Sequence, residues 1–403
     1  MPTGGSSPIS GSTRGSNSVS GPRPTVQLRV RGARGHLRFF QKMVRRPDSA
    51  VDPGSLVDVV DRDGAFVGRG FYNPRSNIAV RLLTTDAAEP AGDDFFRSRL
   101  RAAVALRHDL LKLPEVTDAY RVCHAEGDEL SGLIVDRLGP VLSIELFSRG
   151  FFKLLDPLKG WLLELFPGSR FHVRADAEIA EIEGFRTPAG EALEGVVVRE
   201  HGLEFRIDFV HGHKTGFFCD QRDNRFTAGR LAHGLEVLDL CTYSGGFAIS
   251  AAKGGAKRVV AVDLDEKALE VARRNGRLNK VKVDFLHADL FNYLRQTREK
   301  FGFVILDPSK QAREPEDLPK ARRGYHDMNA LAMKALAPNG LLLSCSCSGL
   351  VGEEEFLNIL RAAAQTVGKS LQIFSVTGAA PDHPVSGLFP EGRYLKAAFS
   401  RVM

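Results

Sequence analysis

The chain has 403 residues and an ordinary globular composition, with 43% hydrophobic and 26% charged residues and a formal net charge of +6. Its length exceeds what one hydrophobic core usually supports, so we expect two or three domains. No apolar stretch is long enough to span a bilayer, and the five cysteines form no C-x-x-C pair, which argues against a membrane protein, a disulfide framework or a zinc site and favours the cytoplasm.

The predicted elements begin with a lead over residues 1–25, rich in Ser, Gly and Pro, which is expected to be disordered and has no apolar segment of a secretory signal. Residues 26–95 are predicted to form a small β domain, with strands at 56–60, 65–72 and 78–83. Basic residues are concentrated here, namely Arg23, Arg29, Arg31, Arg34, Arg38, Lys42, Arg45 and Arg46. Such a window fits a polyanion partner as well as a merely solvated surface.

Residues 96–197 are predicted to form a central α+β domain. Helical periodicity over residues 95–112 is followed by predicted strands at 132–136 and 141–146. An amphipathic helix is expected at 151–166, where Pro167 and Gly168 stop it, and a further strand at 170–174. From residue 198 to 403 the pattern becomes that of a doubly wound α/β sheet.

The most informative stretch is VLDLCTYSGGFA at 237–248, which predicts a strand carrying Asp239, a turn with Gly245 and a helix. The next strand, RVVAVDLD, carries Asp263 at its end. Because the carboxyl ends of parallel strands line a ligand crevice, the pattern indicates a nucleoside cofactor. The turn lacks G-x-G-x-x-G, and the chain has no G-x-x-x-x-G-K-[ST]. S-adenosylmethionine, which has no phosphate, therefore fits better than a dinucleotide, although glycines can also make a plain βαβ turn.

Three later strands extend this pattern. They are predicted at 283–290, 301–308 and 340–347, and the first two carry Asp289 and Asp307 at their ends. One acid at such a place is usually a helix cap. Four acids at successive strand ends, with Asp239 and Asp263 included, predict one acidic rim beside the cofactor.

Four blocks of sequence resemble a known family. They are HGHKTGFFCDQRDNR at 211–225, the turn at 237–248, RRGYHDMNALAMKAL at 322–336 before SCSGL at 346–350, and FPEGRYLK at 389–396. Together they resemble the bacterial large-subunit (23S) ribosomal RNA cytosine-C5 methyltransferases. The resemblance covers nearly everything after about residue 25, and YRVCHAEGDELSGLIVDRLG at 120–139 is similar to the family's central domain. It implies a PUA RNA-binding domain, a central domain and a Rossmann-like methyltransferase domain, with ribosomal RNA as partner and S-adenosylmethionine as cofactor.

The chemistry that the resemblance implies needs a nucleophilic thiolate. Cytosine C5 is a poor nucleophile, so a thiolate first adds to C6, C5 then attacks the sulfonium methyl, and a base removes the C5 proton. By resemblance Cys347 is the nucleophile, and Asp307 would hydrogen-bond the cytosine edge. Cys345 shares the strand face but lies within the apolar run, which favours a packing role. Cys241 is expected to pack against the ligand or the core.

The resemblance also implies a set of cofactor-binding residues, and no metal site is expected from the cysteine spacing. Asp263 would bind the ribose hydroxyls and Asp289 would lie near the adenine. The residues along the methionine part would be Asp239, Tyr243 and Gly245, and those closing over its end would be Asp220, Gln221 and Arg222. The run DQRDNR that contains the last three also fits a capped, solvated helix start.

Two segments depart from the family pattern. The usual Asp-Pro-Pro-Lys-Phe is replaced by DPSKQ at 307–311, so a stiffening proline and an aromatic that can stack on a base are both absent. HLRFFQKMV at 36–44 replaces a Trp-containing start of the PUA domain. Two other functions stay open, RNA N-methylation on the same fold and RNA binding or ribosome assembly without turnover. The oligomeric state also stays open, with a homodimer as one possibility.

Overall fold

The structure is a computed structural model that describes residues 23–32, 35–188, 193, 195–209 and 217–403. The predicted disordered lead falls outside the described residues up to residue 22, and its last residue, Thr25, already begins a strand. The sequence block at 211–225 lies outside them up to residue 216. In the described part no helix is long and apolar enough to cross a membrane.

The N-terminal part forms a five-stranded sheet in the order β1-β3-β4-β5-β2. Its strands are β1 Thr25–Gln27, β2 Arg38–Phe40, β3 Ser55–Val60, β4 Phe66–Tyr72 and β5 Ile78–Thr84. The three strands predicted from alternating apolar residues are confirmed to within one residue. The sequence analysis missed β1 and β2, two three-residue strands that are too short to show a period and that exist because they pair with β3 and β5.

The central part combines a four-stranded sheet, β6-β7-β8-β9, with five helices. These elements are α1 Asp93–Ala105, α2 Leu113–Val116, β6 Ala119–His124, β7 Leu133–Leu138, β8 Val141–Leu146, α3 Arg149–Lys153, α4 Leu155–Leu165, β9 Arg170–Arg174 and α5 Ala177–Glu183. A π-helical turn, Leu106–Leu110, extends α1. The single helix predicted at 151–166 is wrong, because Pro157 has no N–H to donate and therefore stands in the first turn of a separate helix, α4.

The C-terminal part contains a two-stranded ladder and a seven-stranded sheet. The strands are β10 Val196–Glu200, β11 Leu203–Ile207, β12 Glu236–Leu240, β13 Arg258–Asp263, β14 Asp284–His287, β15 Phe301–Leu306, β16 Leu336–Ser346, β17 Leu371–Thr377 and β18 Lys396–Val402. The helices are α6 Arg222–Leu231, α7 Gly246–Lys253, α8 Glu266–Leu278, α9 Leu290–Gln296, α10 Leu318–Ala335 and α11 Glu353–Thr366.

The seven-stranded sheet is a doubly wound Rossmann-like sheet, as predicted. Its order is β14-β13-β12-β15-β16-β18-β17, with β12 to β16 parallel and β18 antiparallel to both neighbours. Alternate residues of β12 face opposite cores: Val237 packs with α6 and α7, and Leu238 packs with α10 and α11. The chain reverses its direction of progress between β12 and β15, and ligands of such sheets bind where the order reverses.

The segment between β17 and β18 joins the sheet to the central part through Asp382. This carboxylate is fully buried and accepts hydrogen bonds from Arg222 Nη1 at 3.1 Å and Nη2 at 2.8 Å and from the Arg121 backbone N–H at 2.8 Å. Arg107 Nη2 donates to the Asp382 carbonyl oxygen at 2.6 Å. Burial would raise the pKa of Asp382, but His383 and Arg222 hold it well below its usual range. The carboxylate therefore stays charged and ties α6 to β6.

We expect Asp382→Asn to lower the free energy of unfolding by about 3–5 kcal/mol, because it leaves the buried Arg222 guanidinium without its counter-charge. Asp223→Asn is the matched control, since Asp223 accepts from the same guanidinium but its side chain is 52% exposed. That change should cost less than about 1 kcal/mol. Urea unfolding of both variants checks this, and equal losses would contradict it.

Candidate active site

Asp239 lies at the centre of the predicted acidic rim, on β12. It is fully buried, and its Oδ2 accepts from Thr242 Oγ1 at 2.6 Å and from the Ala248 backbone N–H at 3.0 Å. Its Oδ1 is buried with no hydrogen-bond partner among the described residues. Burial, opposed by the Thr242 hydrogen bond, raises the pKa of Asp239 to about 7. A buried oxygen of this kind suits a cationic ligand, because the ligand's charge would compensate the carboxylate.

The turn after β12 has a backbone that only certain residues tolerate. Gly245 has φ 85°, and the preceding Cys241 and Tyr243 also lie in the left-handed region. A Cβ on Gly246 would lie 2.8 Å from Arg225 Cδ, so α7 can begin here only with a glycine unless Arg225 shifts. The Tyr243 N–H donates to Asp263 Oδ2 at 2.7 Å, which ties the turn to the end of β13. The predicted residues Asp239, Tyr243, Gly245 and Asp263 are thus brought together.

Asp289 has a structural role that the sequence left open. It follows β14, is half-buried, and its Oδ1 accepts from the Asn292 backbone N–H at 2.9 Å, so it caps α9. The Ala288 N–H donates to the Asp263 carbonyl oxygen at 3.0 Å, which places the two strand ends side by side. Contact of Asp289 with an adenine stays a prediction.

The three residues Asp220, Gln221 and Arg222, at the junction with α6, take different roles. Gln221 Nε2 donates to Asp307 Oδ2 at 3.0 Å, and its Oε1 accepts from Asn224 Nδ2 at 2.7 Å, so Gln221 orients the Asp307 carboxylate. Asp220 Oδ2 accepts from the Tyr394 hydroxyl at 2.5 Å, while its Oδ1 is buried with no hydrogen-bond partner in the described part of the chain. The donors of Arg222 go to Asp382 and Asp223, so its contacts are structural and its predicted cofactor contact stays a prediction.

Cys347 is the first residue after β16, and it lies beside the end of β15. Its Sγ is 4.0 Å from the carbonyl oxygen of Pro308, the residue after Asp307. Cys345 is fully buried in the core between the sheet and α6 and α7. Burial raises the pKa of four thiols, those of Cys123, Cys219, Cys241 and Cys345. A raised thiol pKa disfavours the nucleophilic thiolate in those four cysteines. Cys347 is half-buried instead, and its role as the nucleophile stays a prediction.

The turn at Cys347 is held by residues to which the sequence analysis gave no role. Ser346 Oγ donates to the Tyr325 hydroxyl at 3.0 Å, and that hydroxyl lies 2.9 Å from Ser348 Oγ. Ser348 Oγ also accepts from the backbone N–H groups of Gln311 at 3.0 Å and Ala312 at 3.2 Å. Tyr325 stands within the block at 322–336 that carried the family resemblance, which was the one available signal.

Known proteins match most of the chain. Residues 176–385 match the S-adenosylmethionine-dependent methyltransferase family, and residues 30–85 match a PUA-like domain. The ribosomal RNA large subunit methyltransferase I of Salmonella arizonae is 37% identical over 92% of this chain and 94% of its own length. That of Aeromonas hydrophila is 38% identical over 91% of this chain and 96% of its own length. The chain belongs to this methyltransferase family.

The fold of the methyltransferase is also found in solved structures. A crystal structure of a methyltransferase complexed with SAH covers 94% of this chain and all of its own with a TM-score of 0.80 and 18% identity. A SAM-dependent methyltransferase from Streptococcus mutans matches with a TM-score of 0.78 and 17% identity, over 94% of this chain and all of its own. The match at 30–85 falls on the five-stranded sheet, which is therefore a PUA-like domain.

The cofactor is S-adenosylmethionine, as predicted, and the site fits it. The buried Oδ1 atoms of Asp239 and Asp220 have no hydrogen-bond partner among the described residues, and the cofactor carries two cationic groups, an ammonium and a sulfonium. No phosphate cradle is needed, and the turn at Gly245 supplies none. In the described part of the chain no three or more His, Cys, Asp or Glu residues are grouped to hold a metal ion.

We expect affinity for S-adenosylmethionine to rise with pH. A carboxyl with a pKa of about 7 must lose its proton when a cation binds beside it. Binding of wild type should therefore be about tenfold weaker at pH 6 than at pH 8. Asp239→Asn should bind weakly at both values. Asp284→Asn, at the other end of the strands, should keep the wild-type profile. Calorimetric titration measures each, and a pH-independent wild-type affinity would contradict the prediction.

Proposed function

We propose that this methyltransferase acts on large-subunit ribosomal RNA and methylates cytosine at C5 through a covalent adduct with Cys347. The position of the Cys347 thiol beside Asp307 and Pro308 carries the proposal. The RNA substrate is supported by the printed names of the relatives and by the PUA-like domain. The alternative reaction, methylation of an exocyclic amine or a ring nitrogen, needs no cysteine and would give Cys347 no role.

The residues divide the work between nucleophile and base recognition. Cys347 Sγ, as thiolate, would form a bond to C6 and make C5 electron-rich. After C5 has taken the methyl group, a base removes the C5 proton, the C5–C6 double bond re-forms and the bond from C6 to Sγ breaks. Asp307, held by Gln221, would accept a hydrogen bond from the cytosine amine. S-adenosylmethionine, when bound, supplies an electrophilic methyl group. The remaining carboxylates, Asp239 and Asp220, would hold the cationic end of the cofactor.

The departure at residues 309–311 is compatible with this proposal. Gln311 Nε2 donates to the Ser309 carbonyl oxygen at 2.7 Å, and the Gln311 N–H donates to Ser348 Oγ. These bonds hold the loop after Asp307 against the turn at Cys347. They restrain the loop that a second proline would stiffen in the usual family pattern. The stacking surface of the absent aromatic is not replaced by Gln311, so base stacking would have to come from elsewhere.

We also propose the domain limits 26–95, 96–197 and 198–403, with RNA contacted by the first. A cavity of about 730 Å³ on that domain has a mixed lining, in which Arg29, Gln41, Arg46 and Tyr72 lie among apolar residues and Asp48. Guanidinium groups suit RNA phosphates, and nearby Phe40 is 47% exposed and could stack on a base. Arg38 does not belong to this surface, because it pairs with Glu126 and lies over Phe389. A cytoplasmic location follows from the proposed substrate.

We expect Cys347→Ala to lower methyl transfer to unmodified large-subunit ribosomal RNA by at least about 10³-fold, because the adduct cannot form. Cys345→Ala is the matched control and should stay within about threefold of wild type. Transfer of the labelled methyl group, followed by nucleoside mass spectrometry for 5-methylcytidine, measures both.

Three outcomes would contradict the proposal. Full activity of Cys347→Ala excludes covalent C5 chemistry. An N-methylated nucleoside as product identifies the same-fold rival. Calorimetric binding of S-adenosylmethionine by wild type without transfer to any ribosomal RNA favours an assembly factor.

A further inference from the structure

Lys396, the first residue of β18, is a buried cation beside the proposed nucleophile. It is 2% exposed and pairs across the sheet with Ser346, the residue before Cys347. Its Nζ donates to the Ser348 carbonyl oxygen at 2.7 Å and to the Tyr394 carbonyl oxygen at 2.9 Å. Both acceptors are neutral, and no carboxylate in the described part of the chain lies within 4.0 Å of this ammonium. A buried charge without a counter-charge is costly, which points to an anion at the site itself.

The charges around Lys396 identify that anion. Burial lowers the pKa of Lys396 to about 8, and the largest attraction that opposes this comes from Cys347, ahead of Glu353 and Glu355 on α11. Lys310, in the loop after β15, repels it. An attraction between two groups acts on both, so the ammonium that gains from a Cys347 anion also stabilises that anion.

The surroundings of Cys347 otherwise oppose a thiolate. Asp307 precedes Pro308, whose carbonyl oxygen lies 4.0 Å from Cys347 Sγ, and the negative charge of Asp307 opposes a second negative charge nearby. The Tyr325 hydroxyl lies within the same group of side chains, and burial raises its pKa, so it stays neutral. Lys396 donates to the carbonyl oxygen of Ser348, the residue after Cys347, so its ammonium is placed to favour the thiolate.

We propose that Lys396 is a positioning residue that holds the turn at Cys347 and stabilises the thiolate of that cysteine. The proposal rests on Cys347 being the nucleophile of the proposed function. Lys396 acts in two ways: the hydrogen bond to the Ser348 carbonyl oxygen fixes the turn, and the charge lowers the cost of deprotonating the thiol. A cysteine adds to a carbon centre only as the thiolate, so this stabilisation acts before any substrate is bound.

The test is the pH dependence of Cys347 alkylation by iodoacetamide in the full chain, read by peptide mass spectrometry without RNA or cofactor. In wild type the alkylation rate should reach half its maximum below the ordinary thiol value of about 8.5. Lys396→Met keeps the apolar stem and removes the charge, so the midpoint should rise by about one unit and the rate at pH 7 should fall about tenfold. Lys396→Arg keeps the charge and should stay within about threefold of wild type at pH 7.

Two results would overturn the role of Lys396. One is a wild-type midpoint at or above about 8.5, which needs no variant and so holds even if Lys396→Met does not fold. The other is an unchanged profile in Lys396→Met while buried Cys123 stays unreactive, which shows that the fold is intact. In methyl transfer, a low kcat of Lys396→Met at pH 7 that recovers at pH 9, with KM for S-adenosylmethionine unchanged, separates this role from loss of structure.

The alkylation test also separates this inference from the proposed function. A shifted profile in Lys396→Met together with an active Cys347→Ala would keep the role of Lys396 and reject C5 chemistry. An unchanged profile together with an inactive Cys347→Ala would reject the role of Lys396 and keep C5 chemistry.

Discussion

The buried carboxylate of Asp382 is the contact on which the arrangement of this methyltransferase depends. It joins α6 of the sheet domain, through Arg222, to the backbone of β6 in the central part. A fully buried charge is stable only where partners of opposite charge and hydrogen-bond donors surround it. The ion pair of Arg222 and Asp382 therefore fixes the position of the segment between β17 and β18. That segment then carries Tyr394 into the active site, next to Lys396 at the start of β18, and its Phe389 ring contacts Arg38 of the PUA-like domain.

The active site is consequently built from two ends of the methyltransferase domain. The turn before α6 provides Asp220 and Gln221, and the end of the chain provides Tyr394 and Lys396. Tyr394 donates to Asp220, which connects these two parts, and Gln221 donates to the carboxylate of Asp307 after β15. The rim thus combines carboxylates that suit a cationic cofactor with an ammonium that suits a thiolate. Because the carboxylates and the ammonium lie at different strand ends, the same site can favour a cationic cofactor and a thiolate.

Prediction from the sequence succeeded where a property is local. Apolar runs located β12, β13, β15 and β16, because a parallel strand covered on both faces must be apolar throughout. The structure puts Cys347 at the predicted strand end, while the role as nucleophile that the family blocks imply stays a prediction. Prediction failed for β1 and β2, which form only by pairing with distant strands, and for the break before α4, which one proline causes.

By itself the sequence determined the doubly wound sheet, the acids at its strand ends and the kind of cofactor. These features follow from strand, turn and helix patterns, which depend on residues that are close together in the sequence. Only the tertiary structure decided which side chains are free for chemistry. Arg222 is taken by Asp382, 160 positions away, and Asp220 is held by Tyr394, 174 positions away. Lys396 meets the turn at Cys347 only because β18 pairs with β16. Contacts between residues so far apart leave no local pattern, so folding alone brings these charges together.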